Sequence, residues 1–383
     1  MQIDILKTYE LCNYDFDMFK LYLELKDFVD SRFFGDINFR PHERIVFIHR
    51  DLDFFISNNY PGFTLYNLQL ILKKLNISNF FCAVISNIPD YQHHTDMVGK
   101  ILNPTDVPLR GISSLLFITR FFNSVASETK LNTNQITHPF ISLSRLSRFH
   151  RTFFTAKLFE NNLQTSGLVS YHNIPDSADH HRIDITRTNH PSLDFSFLYA
   201  VPFRRENSEL ILTQQQNQQL VENFQSTVPS YINFTDDNNI SSKTTSIYFQ
   251  NSVIQNALVF VGLETSVVYP FPFASTISFK GIADKRPFII FGAPGILKYL
   301  HDLGFKTFDR WWDESYDLES DVETRADMII KILNQLSTYS QSYLQKLCLE
   351  MSEILEYNYQ HLLGTFVLQE KEKISNGLAK QFI

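Results

Sequence analysis

The densest grouping of residues able to hold an anion is Ser144-Arg145-Leu146-Ser147-Arg148-Phe149-His150-Arg151. Three arginines fall within seven residues where a strand gives way to a helix. Each guanidinium offers a two-pronged donor face to phosphate oxygens, and a helix start adds main-chain N–H groups and the positive end of its dipole. The competing reading is a solvated basic helix start. A second grouping spans residues 258–317, LVFVGLETSVVYPFPFASTISFKGIADKRPFIIFGAPGILKYLHDLGFKTFDRWWDESYD. Here a strand ends at Glu264-Thr265, a helix start carries Ser278 and Lys280, and another strand ends at Gly292-Ala293-Pro294-Gly295, together forming one wall of a cleft. Helix-start amides and a nearby lysine suit a diphosphate, whereas a carboxylate at a strand end suits ribose hydroxyls. The third grouping is His49, Asp51 and Asp53. A histidine or carboxylate at a strand end can take the proton of an attacking hydroxyl. The same three residues also suit a divalent cation or the capping of a loop.

The elements that must carry these groups follow from the apolar pattern. Arg44 to Ile48 and Phe80 to Ser86 are β-branched and aromatic runs, hence strands, and between them Thr64 to Leu75 places Leu65, Leu68, Ile71, Leu72 and Leu75 on one helical face. Strand, helix, strand implies a parallel sheet whose ligands gather beyond the carboxyl ends of the strands. A polar stretch, Ser127 to Pro139, reads as a linker. The pattern then restarts with a strand at Phe140 to Leu143, a loop at Ser144 to Ser147 and a helix at Phe149 to Asn161. Tyr171 to Ser246 reads as irregular insertions apart from a helix at Thr213 to Phe224. Beyond it come strands at Leu258 to Leu263 and Pro287 to Phe291, with a helix opening at Phe279 to Ala283. Gly295 to Leu303 is a helix stopped by Gly304, and Val322 to Leu336 and Ser340 to Gln360 are helices.

Composition narrows the classes. With 383 residues, 44% hydrophobic and 20% charged, the chain can bury a sizeable core, and two domains are expected. Its 36 phenylalanines fill core positions that other chains give to leucine. A net charge of -7 argues against a general grip on nucleic acid, leaving only a local basic cleft. The first residues carry no secretory signal, no apolar run is long enough to span a bilayer, and Cys12, Cys82 and Cys348 are few and scattered. A cytoplasmic protein is the expectation. The pairs His93-His94 and His180-His181 diverge too far to chelate one ion and read as loop residues. Trp311-Trp312 either stacks on a base or sugar or covers a domain edge.

The 258–317 block resembles the C-terminal module of phage and marine-bacterial glycosyltransferase-like proteins and, more distantly, the α1,3-fucosyltransferases. Those families pair a strand ending in E-T with an E-K-T-F-K-P element, then G-x-P-F and G-x-P-G. Thr276, Ile277 and Ser278 stand where E, K and T would be, so the glutamate and first lysine are missing, while Lys280, Pro287-Phe288, Gly292 and Pro294-Gly295 remain, as do Gly304-Phe305-Lys306-Thr307-Phe308 and Asp313-Glu314-Ser315-Tyr316-Asp317. The arginine segment is similar to the family's N-R-x-P-R-x-H-R element, with Ser144 for Asn and Ser147 for Pro. The resemblance implies an α/β fold of two Rossmann-like domains facing across a cleft (GT-B-like). Residues 1–130 would form the acceptor domain and 137–350 the nucleotide-sugar-binding domain, with 351–383 a terminal helix and tail crossing back to the first. It implies transfer of a sugar from a nucleotide diphosphate sugar to a hydroxyl acceptor, glycan or modified DNA, without metal or other cofactor. Donor-binding residues are Arg145, Arg148, Arg151, Glu264, Thr265, Ser278, Lys280, Gly292, Pro294 and Gly295, and Asp51, His49 and Asp53 serve catalysis. The alternatives are a drifted nucleotide- or glycan-binding protein of the same fold and a phage-type DNA-modifying transferase.

Overall fold

The computed structural model describes residues 4–11, 43–50, 72, 80–86, 109–115, 118, 122, 131–146, 148–174, 215–228, 230–232, 251–264, 267, 272 and 274–380. They form an α/β protein with two sheets. The first contains β1 (Asp4–Leu11), β2 (Glu43–Arg50), β3 (Phe80–Ser86) and β4 (Leu109–Ser113), in that order and all parallel. β2 and β3 are the two apolar runs seen in the sequence, and β3 has the expected bounds. Of the helix expected between them, Leu72 is described; it is helical and buried.

The second sheet has the order β7-β6-β5-β8-β9, from β5 (His138–Leu146), β6 (Leu168–Ile174), β7 (Ser230–Ile232), β8 (Ala257–Leu263) and β9 (Phe288–Phe291). β7 is antiparallel to β6, and the other pairs are parallel. Every residue of β8, Ala-Leu-Val-Phe-Val-Gly-Leu, is buried, as expected for a parallel strand covered on both faces. One face of the sheet packs Ile141, Leu143, Leu168 and Phe260 with Val253, Ile254 and the half-buried Ile277.

The helices are α1 (Phe149–Glu160), α2 (Gln215–Thr227), α3 (Asn251–Gln255), α4 (Thr276–Ala283), α5 (Ile296–Asp302), α6 (Val322–Ser337), α7 (Gln341–Glu350), α8 (Ser352–Leu363) and α9 (Thr365–Lys380). Among the described residues no helix is long and apolar enough to cross a membrane. α5 stops where expected, at Gly304, whose φ of 91° suits a residue without Cβ.

Three expectations need correction. Ser144 to Leu146 continues β5 rather than forming a loop, because the ladder to β6 extends through it after a register shift between Ser144 and Leu146. The stretch beginning at Tyr171 completes β6 and supplies β7, Ser-Tyr-Ile, a strand too short to give a periodic signal and set by its antiparallel pairing with β6. The single helix expected from Ser340 to Gln360 is two, α7 and α8. The break is at Met351, which is fully buried and keeps near-helical angles (φ -87°, ψ -6°), so no glycine or proline marks it.

The chain divides into two compact units. Among the described residues, one holds β1–β4, Leu72, Ser114, Leu115 and α9 from Glu370 onward; the other holds the rest. Within the first, the buried Glu370 carboxylate accepts hydrogen bonds from Ser114 Oγ (2.9 Å) and Leu115 N (2.6 Å) and pairs with Lys373 Nζ at 2.5 Å.

Candidate functional site

The carboxyl ends of β5, β8 and β9 lie side by side because these strands are parallel neighbours, so the segments that follow them meet along one edge. After β5, Arg148 is the N-cap of α1 and makes no side-chain cap hydrogen bond; the first turn then carries His150 and Arg151, both buried. After β8 comes Glu264, with no solvent exposure. After β9 come Gly292 to Gly295, where Gly295 takes a φ of 82° as N-cap of α5.

Glu264 ties these segments together. Its main-chain oxygen accepts from His150 Nε2 (2.8 Å) and Arg151 Nε (3.3 Å), which fixes the start of α1 against the end of β8 and places the imidazole proton on Nε2. Its amide donates to Phe291 O at 2.9 Å, and its Cβ and Cγ are the nearest atoms that a side chain at Gly292 would meet. Its carboxylate accepts from Ser275 N (2.9 Å), Ser275 Oγ (2.8 Å), Ser278 N (3.0 Å) and Ser278 Oγ (2.5 Å). A negative charge thus sits on the start of α4, where the dipole and unsatisfied amides favour it.

This arrangement changes what several residues can do. The start of α4, expected to receive a diphosphate, holds the protein's own carboxylate, and Ser278 is engaged with it. Lys280 points the other way along the helix: its ammonium lies 2.6 Å from Asp284 Oδ2, one turn on, with both side chains buried. Asp284 in turn accepts through its main-chain oxygen from Gln255 Nε2 (2.8 Å), just before β8, which puts the pair at the amino end of the strands. Burial pushes the Asp284 carboxyl up, against the opposing pull of Lys280 and Arg286. Lys280 is therefore not brought together with Arg148 and Arg151.

The start of α5 is occupied in the same way. Asp317 accepts from Leu297 N (3.0 Å) and Lys298 N (3.2 Å), and its main-chain oxygen accepts from Gly295 N (2.7 Å). Burial raises its pKa while the helix-start amides and Arg325 draw it down. Arg325, on α6 and almost fully buried, donates to the main-chain oxygens of Glu319 and Val267 and lies over the Phe291 ring at 5.9 Å. Burial lowers its pKa to about 10.

Of the remaining expected site residues, Arg145 is in β5, Pro294 lies in the turn before α5, and His49 is the next-to-last residue of β2, in register with Leu11 and Val84. Thr265, Asp51 and Asp53 lie outside the described residues, as do His93-His94 and His180-His181. Trp312 is buried against Phe308 (ring centroids 5.4 Å), while the half-buried Trp311 reaches Glu350 Oε2 at 3.4 Å.

Three further residues complete the edge: Ser275 and Arg325, which the sequence did not single out, and Asp317, which it offered only as the end of a preserved block and not as a site residue. Ser275 was findable as a serine before an apolar helical run. Asp317 and Arg325 act on segments 20 and 58 residues away, and no local spacing announces them. No group of three or more His, Cys, Asp or Glu is placed to hold a metal ion among the described residues. Compared with known proteins, the chain matches no protein-family model, no curated protein and no solved structure.

Proposed function

We propose that this chain is a glycosyltransferase of two Rossmann-like domains facing across a cleft, moving a sugar from a nucleotide diphosphate sugar to a hydroxyl acceptor. The observation that carries the reading is the double role of Glu264: one residue anchors the arginine-bearing start of α1 and the β8–α4 turn at the carboxyl edge of a parallel sheet. That edge is where α/β proteins hold nucleotides. Arg148 and Arg151, with Arg145 beside them in sequence, offset the charge that develops on the departing diphosphate, the electrostatic contribution such a transfer needs most. Lys280 supports α4 through Asp284 instead of touching the donor. In the other unit, His49 lies in β2, Asp51 and Asp53 come after it in sequence, and one of the three takes the acceptor proton.

The test is thermal unfolding of the full chain with and without UDP, GDP, ADP and dTDP. One of them at a concentration of about a hundred times its Kd should stabilise the fold by about 2.7 kcal/mol. A melting temperature unmoved by all four removes the reading. A second reading, a nucleotide- or glycan-binding protein that no longer transfers, is favoured by the Lys280–Asp284 pair, which withdraws the remaining lysine of the donor element from the edge. Hydrolysis of a nucleotide sugar by the chain, abolished in Arg148→Gln, excludes it.

A further inference from the structure

The hydroxyl of Ser144 stands out among the buried polar groups of the second unit. Ser144 is 1% exposed, and its Oγ has no hydrogen-bond partner among the described residues. A buried hydroxyl left unpaired is a cost that folding alone does not explain.

Its place in the fold suggests what it pairs with. Ser144 stands opposite Tyr171 in the β5–β6 ladder, and neighbours across a parallel ladder project to the same face. Tyr171 Oη lies 3.3 Å from Thr152 Oγ1, in the first turn of α1, so Ser144 is on the face that the start of α1 covers. It is four residues ahead of Arg148, the N-cap of α1. The register shift between Ser144 and Leu146 is a strand-end irregularity of the kind that re-aims side chains. The charges nearby are complementary to an anion: Arg148 and Arg151 are at this helix start, while the Glu264 carboxylate is turned onto α4.

We propose that Ser144 Oγ–H donates to a phosphoryl oxygen and completes an oxyanion seat at the start of α1. This rests on the glycosyltransferase reading and deepens it by naming the group that touches the diphosphate. An oxyanion of several acceptor oxygens fits because the surrounding groups, a hydroxyl, guanidinium groups and helix-start amides, can all donate.

The experiment uses the full chain and its Ser144→Ala variant, with Ser142→Ala, equally buried on the same face of β5, as control. Calorimetric titration with inorganic pyrophosphate, inorganic phosphate and UDP is combined with melting curves without ligand. Ser144→Ala should melt at or above the temperature of the parent, because it loses an unpaired buried hydroxyl. It should nevertheless bind pyrophosphate and UDP about tenfold more weakly, while Ser142→Ala binds as the parent does. If the parent binds UDP and Ser144→Ala binds it equally well, the seat is refuted and the transferase reading survives. A Ser144→Ala melting temperature several degrees below the parent's also overturns the proposal, since the hydroxyl then serves the fold. Weakened pyrophosphate or phosphate binding with no UDP binding by the parent keeps the seat and removes the nucleotide donor. Absence of binding by the parent to all three removes both.

Discussion

Glu264 and Lys280 show how a side chain's chemistry is decided by what its neighbours need. Four donors converge on the Glu264 carboxylate, all from residues 275 and 278. Glu264→Gln removes the charge from the start of α4; its amide oxygen can keep the three contacts of Oε1, and its NH2 group then faces Ser275 Oγ, a hydroxyl that already accepts from Ile277 N. We expect a loss of about 3 kcal/mol, read from the urea midpoint, with a slope unchanged from the parent. A variant as stable as the parent would show that α4 does not depend on this cap. Lys280→Met strips the cation from a buried carboxylate and should cost a similar ~3 kcal/mol at pH 7.5. Because the ammonium is at the far end of α4 from Arg148 and Arg151, pyrophosphate affinity should stay within about twofold of the parent. A large loss of affinity at unchanged stability would return Lys280 to the binding site.

The segment from Gly304 to Leu318 behaves as an element although it contains little regular structure. Phe305 and Phe308 anchor it in the core, packing against Phe279 and Phe288. Glu314 Oε1 closes it by accepting from Phe308 N at 2.8 Å. Burial pushes the Glu314 carboxyl up to about 7, against the Thr307 hydroxyl and the Phe308 amide, which pull it down. From about pH 4.5, where the carboxyl ionises in the unfolded chain, to about pH 7, the folded chain keeps a proton that the unfolded chain has released. This group's contribution is therefore fully present below that window and lost as pH rises through it, by roughly 3 kcal/mol at most. Glu314→Gln retains the acceptor for Phe308 and has no proton to lose. Urea unfolding at pH 5 and pH 8 should show a smaller decline for the variant than for the parent. An equal decline in both would mean that Glu314 titrates normally.

At the scale of the whole molecule, each unit has its own sheet, and the chain's last helix serves both in sequence: α9 begins among the residues of the second unit and, from Glu370, belongs to the first. Glu370 is fully buried and accepts from Ser114 and Leu115 immediately after β4. Glu370→Ala leaves the Leu115 amide and the Ser114 hydroxyl without that acceptor and should destabilise the first unit by about 3 kcal/mol. Hydrogen exchange should report faster exchange at Leu115 and along β3 and β4, with protection in β5, β8 and β9 unchanged. Equal acceleration in both sheets would show that the two units unfold as one.

Strand and helix positions were largely legible because the signal is local: the apolar runs at Phe80 to Ser86 and Leu258 to Leu263, and the amphipathic Phe149 to Asn161, coincide with β3, β8 and α1 to within a residue. Even the Lys280–Asp284 pair was open to inspection as a four-residue spacing on a helix. The sequence by itself thus determined an α/β chain with its arginine segment at a strand-to-helix junction. Only the tertiary structure decided which charges face that junction, turning Glu264 onto Ser275 and Ser278, setting Asp317 on the start of α5, and pairing β7 with β6. The reason is physical: a buried charge takes the partner that packing brings within about 3 Å, and that distance depends on strand order and segments far apart in the chain, which no local pattern encodes.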